Sequence, residues 1–217
     1  MSNIKQRKKV FFLNSILNHI LNFIFPPCCP VCRERTMESF ALCPDCYQKI
    51  HINLDSQLFN AYAVEYNETS KQMILPLKHA DRTDLAVLMG NMMVSAGENV
   101  LQGADILIPV PIHWTRLMIR KYNQAGLLAC QISKKTGIKV EHLTLKRIRK
   151  TERQGSAKQR HQNVKNAFAC KKDVQGKVIV LIDDVYTTGS TIDSCRQELL
   201  KHGAKEVRSL VFAKRIK

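Results

Sequence analysis

Apolar positions along the chain follow two different rhythms. In TDLAVLMGNMMVSAGENVL (83–101) and QAGLLACQISKKTG (124–137) they recur at helical spacing, and the second segment stops at Gly137, a residue suited to ending a helix. In ADILIPVPI (104–112) and GKVIVLIDDV (176–185) they run unbroken, as in strands buried on both faces, and prolines close the first run into a constrained loop. NAYAVEY (60–66) reads as an edge strand, TIDSCRQELLKHG (191–203) as a helix and EVRSLVFAKR (206–215) as a last strand. Buried strands alternating with helices predict an α/β fold, a mostly parallel sheet covered on both faces. The pattern holds no internal repeat, and it fades between Lys146 and Lys165, where charge replaces apolar periodicity.

The first 25 residues have their own period. Asn14, Ser15, Asn18, His19 and Asn22 fall on one helical face and Phe11, Phe12, Ile16, Leu17, Ile20, Leu21 and Ile24 on the other, which predicts an amphipathic helix. Its apolar runs are far shorter than the ~20 residues of a membrane span, and no small-residue cleavage site follows. The helix is expected to pack on the protein's own core. The second reading is shallow adsorption to an anionic membrane face through Lys5, Arg7, Lys8 and Lys9. The expected location is the cytoplasm, peripheral at the inner membrane face under that second reading.

Cysteine usage changes the picture next. Without a secretory leader the eight cysteines are expected in a reducing compartment, where a disulfide framework does not persist. Cys29 and Cys32 form one C-x-x-C knuckle and Cys43 and Cys46 another, a spacing that brings four thiolates onto one structural Zn²⁺ in a closed tetrahedral site. Cys28 is the bystander, because adjacent cysteines do not readily face one ion. The domains are accordingly expected at 1–25 (amphipathic helix), 26–50 (zinc ribbon) and 51–217 (α/β domain). Charge points to the partner: 34 Lys and Arg oppose 18 Asp and Glu, and the net +16 favours a polyanion.

Candidate chemistry concentrates in VIVLIDDVYTTGST (178–191). Val178 to Ile182 form the expected strand, Asp183 and Asp184 lie at its carboxyl end, and Thr187 to Thr191 turn into a helix starting near Thr191 or Ile192. Ligands of open α/β sheets bind at such strand ends. Backbone N–H groups, hydroxyls and a helix N-terminus stabilise a phosphate, while the acids suit ribose hydroxyls or Mg²⁺.

An acidic pair, two residues and T-T-G-S-T resemble the phosphoribosyl pyrophosphate (PRPP) motif of type I phosphoribosyltransferases. That resemblance implies that Asp183 and Asp184 contact the ribose and that Thr187, Thr188, Gly189, Ser190 and Thr191 hold the 5-phosphate, with Mg²⁺ accompanying PRPP. The paired knuckles, LKHADRTDLA (77–86), PVPIHWTRLMIRKYNQA (109–125), TERQ (151–154), RHQNVKNAF (160–168) and IDDVYTTGST (182–191), in this order, resemble the competence protein F (ComF) family. The resemblance implies a zinc ribbon joined to a phosphoribosyltransferase-like domain, a cytoplasmic role in DNA uptake during natural transformation, and binding of single-stranded DNA. Where that family has glycine before the aromatic of R-G-F-N-Q, this chain has Lys121 before Tyr122.

Cations and aromatics near these motifs complete the reading. Arg116, Arg120 and Lys121 neutralise either a diphosphate or the phosphates of a DNA strand, and Trp114 and Tyr122 offer faces on which bases stack. Lys146, Arg147, Arg149, Lys150, Arg153, Lys158, Arg160 and Lys165 serve a hood over a diphosphate or a DNA groove. Lys78 is a phosphate candidate by resemblance alone. The preferred function is a DNA-uptake factor that binds single-stranded DNA and keeps a PRPP-type pocket, with a helicase-type protein as a candidate partner of the ribbon. The alternative is an active phosphoribosyltransferase on an unidentified acceptor; no residue stands out as a general base.

Overall fold

A computed structural model describes residues 26–53, 59–149 and 167–216. The expected amphipathic helix lies outside the described residues, as do Lys150, Arg153, Lys158, Arg160 and Lys165. Contacts divide the chain into two units, Met1–Gln48 and Lys49–Lys217. In the first, Cys28 and Arg35 form an antiparallel bridge, the Cys29 N–H donates to the Glu34 carbonyl at 2.7 Å, and a short helix α1 (Pro44–Lys49) starts within the second knuckle and carries Cys46.

The second unit runs β1 (Asn60–Glu65), α2 (Glu68–His79), α3 (Leu85–Ala96), α4 (Glu98–Leu101), β2 (Ile106–Pro109), α5 (Trp114–Arg120), α6 (Gln124–Thr136), β3 (Lys139–Val140), β4 (Leu145–Arg147), β5 (Phe168–Cys170), β6 (Val178–Tyr186), α7 (Ser190–Lys201) and β7 (Glu206–Lys214). Its main sheet has five strands in the order β1-β7-β6-β2-β3, every pair parallel, with β1 at the edge as its sequence predicts. The unbroken apolar runs are explained by burial on both faces: Ile179, Val180, Leu181 and Ile182 are all fully buried. Ile106, Ile108, Ile179, Leu181 and Val211 pack with Ile192, Cys195 and Leu199 of α7. Residues of the opposite parity lie on the other face, where α3 and α6 contact the sheet and each other. Each fully buried Leu, Ile or Val contributes about 1.5–3 kcal/mol, so the central strands anchor the site that follows them.

Besides the short strands β3, β4 and β5, which no apolar run announced, the structure departs from the sequence expectation in four places. The helix predicted over 83–101 breaks at Gly97, where a Cβ would come within 2.6 Å of Leu210 Cδ2, so α3 ends and α4 restarts. The periodicity did not predict α2, which contains Pro76, yet a capping box starts it: the Ser70 N–H donates to Asn67 Oδ1 at 2.9 Å and the Asn67 N–H to Ser70 Oγ at 2.8 Å. The proline-closed loop after β2 leads directly into α5, capped by His113. Finally, β6 does not stop at Ile182 but pairs with β7 through Tyr186, whereas its ladder with β2 ends at Ile182 opposite Pro109. Asp183 to Tyr186 are therefore paired on one side only.

Candidate functional site

The chain leaves β2 through α5 and α6 towards β3, and leaves β6 through α7 towards β7 on the other side. Connections departing in opposite directions from neighbouring strands open a crevice beyond their carboxyl ends. A cavity of about 140 Å³ lies there, lined by Val110, Pro111 and Ile112 after β2, by Asp183 and Asp184 of β6, by Thr191 of α7, and by Asn123, Gln124 and Ala125 where α6 begins. Four cations complete its wall: Lys78, Arg116, Arg120 and Arg147.

Successive residues of a strand face opposite ways, and the two acids have different surroundings for that reason. Asp184 is buried and forms an ion pair with Lys78, Oδ2 to Nζ 2.8 Å. Asp183 lies on the face packed against α7, and its Oδ1 accepts the Asp184 N–H at 2.9 Å. Burial, followed by the neighbouring Asp184 carboxylate, pushes the Asp183 carboxyl up to about 7; the Asp184 N–H, then Lys78 and Arg147, pull the other way. Burial also lowers the Arg147 guanidinium from its ordinary value, and this side chain lies 5.4 Å from the centre of the Phe168 ring.

Beyond the acids the chain turns sharply. Gly189 adopts φ 78° as the cap of α7, and Thr188 Oγ1 lies 3.0 Å from Ser190 Oγ. A side chain at position 189 would also collide with the Tyr186 hydroxyl, so both conformation and space demand glycine. Thr187 to Thr191 line a hollow of about 20 Å³ at the start of α7, the positive end of the helix dipole.

Helix α5 sorts its side chains by face. Arg116 and Arg120, one turn apart, are half-buried against the cavity, while Trp114, Met118 and Ile119 are 66%, 75% and 79% exposed. Lys121 ends the helix at φ 65°, the left-handed conformation in which glycine costs least. Its Nζ lies 3.4 Å from Asp81, and the next residue, Tyr122, donates its hydroxyl to the Leu77 carbonyl at 2.8 Å. Tyr122 thereby braces the turn that carries Lys78. Lys146 and Arg149 are exposed. Thus Lys78, Arg116, Arg120 and Arg147 share the cavity with the acids, whereas Trp114, Lys121 and Arg149 look outward.

Sequence reasoning passed over Gln124. Its Oε1 accepts from Arg120 Nη1 at 2.9 Å, but its buried Nε2 has no hydrogen-bond partner among the described residues, although it borders the cavity. A buried amide donor is costly to leave unmatched, so it favours a ligand acceptor. The only sequence signal was its place in the quoted motif. Direct Mg²⁺ coordination by the acid pair is disfavoured: Asp184 Oδ2 is engaged by the Lys78 ammonium and Asp183 Oδ1 by an N–H, so the ion would have to use the remaining oxygens beside a fixed like charge, whereas it needs oxygens at about 2.0–2.1 Å in near-octahedral array.

In the first unit the donor atoms of Cys29, Cys32, Cys43 and Cys46 all lie within 4.8 Å of one another. Tetrahedral Zn–S bonds of about 2.3 Å place sulfurs about 3.8 Å apart, so the four thiols fit one Zn²⁺. Burial, then contacts with the neighbouring thiols, raises the Cys46 thiol well above its ordinary value, which a divalent cation reverses. Cys28 is exposed and bonds to the Pro26 carbonyl instead. Among the described residues, no helix is long and apolar enough to cross a membrane.

Two family profiles match the chain, a double zinc ribbon domain over residues 20–58 and a phosphoribosyl transferase domain over 125–217. The chain is 30% identical over 199 residues to DNA utilization protein YhgH of Salmonella typhimurium, covering 83% of this chain and 87% of that protein. It is 36% identical over 133 residues to competence protein F of Haemophilus influenzae, covering 59% and 58%. Among solved structures, the allosteric regulatory enzyme of purine biosynthesis matches with 25% identity and a TM-score of 0.40, over 58% of this chain and about a quarter (25%) of that enzyme.

Proposed function

The chain belongs to the competence protein F family, together with DNA utilization protein YhgH, and from that premise we propose that it handles single-stranded DNA during uptake while its crevice holds PRPP or a related phosphorylated sugar. The observation that carries the pocket reading is the wall of Lys78, Arg116, Arg120 and Arg147 around two acids and beside a helix-capping hydroxyl turn. Phosphates meet the cations and the turn, ribose hydroxyls meet Asp183 and Asp184, and any Mg²⁺ arrives bound to the ligand's own diphosphate. The DNA reading rests on the surplus of cations and on the outward face of α5. There Trp114 is exposed at the start of the helix and Lys121 at its end, so a base stacks on the indole while phosphates track the cations.

Trp114 is the single tryptophan, so its fluorescence reports strand binding directly. Titration with oligothymidylate is expected to quench it, with affinity falling steeply as salt rises, and Trp114→Ala is expected to weaken binding by about 1–3 kcal/mol. Asp183→Asn with Asp184→Asn is expected to abolish PRPP binding and leave quenching intact. An unquenched indole at low salt overturns the DNA reading, and PRPP binding that survives the double substitution overturns the pocket reading. Active phosphoribosyl transfer is the second reading, supported by the fold and the turn; release of diphosphate with a panel of acceptor bases tests it.

A further inference from the structure

We propose that Lys78 is the resident cation of the acid pair, so that a phosphorylated ribose binds this pocket without a divalent ion; the inference rests on the pocket reading above. Lys78 and Asp184 meet at 2.8 Å with side chains only 17% and 12% exposed. Seating a metal on Asp184 Oδ2 means breaking that pair and stranding an ammonium in a half-closed crevice, where an unpaired buried charge is more costly than the pair is worth, and seating it on the other oxygen sets a divalent ion beside that ammonium. Mg²⁺ also sheds its water reluctantly, and an ammonium bonded to the same oxygen opposes it through like charge.

The lysine is held rather than dangling. It occupies the last turn of α2, directly after Leu77, which is fully buried and whose carbonyl accepts the Tyr122 hydroxyl. Arg116, Arg120 and Arg147 line the same cavity, so the wall already carries the positive charge that a metal would bring to a phosphate. A carboxylate has about four acceptor positions, enough for Asp184 to keep the ammonium and still accept ribose hydroxyls. Lys78 therefore sets the orientation of Asp184 and makes the pocket ready for a sugar in the absence of metal.

Ribose 5-phosphate tests this, because it presents the sugar and one phosphate but no diphosphate to carry a metal in. Calorimetric titration of the intact, zinc-loaded protein is expected to give affinities within about twofold in EDTA and in millimolar Mg²⁺, and Mn²⁺ alone is expected to show no tightly held ion by electron paramagnetic resonance. Lys78→Met is expected to lose about tenfold or more of its affinity in EDTA and to gain a Mn²⁺ site, while Lys78→Arg keeps metal-independent binding. Wild-type binding that tightens about tenfold with Mg²⁺ overturns the proposal, as does tight Mn²⁺ in the wild type that Asp184→Asn removes. The wild-type and Lys78→Arg arms decide the question even if Lys78→Met fails to fold. Absence of sugar binding under every condition overturns the pocket reading and with it the role of Lys78 towards a sugar; the Mn²⁺ arm separately shows whether Lys78 excludes a metal.

Discussion

The hydroxyl of Tyr122 donates to the carbonyl of Leu77 at 2.8 Å, joining the segment that leaves α5 to the last turn of α2. Arg116 and Arg120 stand on one side of this link and Lys78 on the other, so the bond sets the width of the cationic wall. Tyr122→Phe is expected to cost about 0.5–1.5 kcal/mol of stability and to weaken binding of ribose 5-phosphate, because the turn carrying Lys78 loses its brace. Thermal unfolding and calorimetry check the two effects. Retention of the ring predicts no change in tryptophan quenching by DNA.

Asp183 makes stability depend on pH in an unusual direction. Its carboxyl holds a proton in the folded state up to about 7, against 3.8 as its ordinary value, so folding takes up a proton between these limits. The contribution of Asp183 is therefore fully favourable below the unfolded value and is lost as pH rises to about 7. Asp183→Asn removes the penalty, and its advantage over the wild type is expected to grow by on the order of 1–2 kcal/mol between pH 5.5 and 8. Paired denaturant melts of the two proteins cancel every other titrating group. An advantage that does not grow with pH contradicts the burial of this acid.

Lys121 occupies a left-handed position at φ 65° without a glycine's freedom. Its ion pair with Asp81 is exposed on both sides and contributes little. Lys121→Gly is expected to stabilise the protein by about 1 kcal/mol and raise the melting temperature by about 2–4 °C, whereas Lys121→Ala keeps the strained backbone and gives no gain. Scanning calorimetry distinguishes the two variants.

The cysteine cluster predicts one zinc per chain. Cys43→Ser is expected to release it, because a structural site gives up much of its binding free energy, about 10–16 kcal/mol for four intact ligands at neutral pH, when one thiolate is lost. Metal analysis after exhaustive dialysis measures the stoichiometry directly. Cys28→Ser is expected to retain the full complement, since its sulfur bonds to Pro26 instead.

Much of this protein was legible where the physics is local. Burial on both faces forces an unbroken apolar run, so the central strands announced themselves. Paired knuckles read correctly because four thiolates at short spacing have one common use. The turn from Thr187 to Thr191 and the helix it enters were equally plain, since a glycine among hydroxyls there serves the backbone geometry of a helix start. Short or proline-containing helices were not legible: α2 and α5 are set by caps and by packing, and their apolar residues do not repeat often enough to show a period.

By itself, then, the sequence determined the layers of the α/β unit, the cysteine cluster and the strand-to-helix turn, because each depends on residues near one another in the chain. Tertiary structure decided which cations face the crevice and which face water. It also extended β6 past the acids on one side only, paired Lys78 with Asp184, and made Tyr122 a brace. Those outcomes depend on parity along a strand, on helical phase and on contacts between distant segments, and they exist only once the sheet has brought α2, α5 and β6 to the same edge.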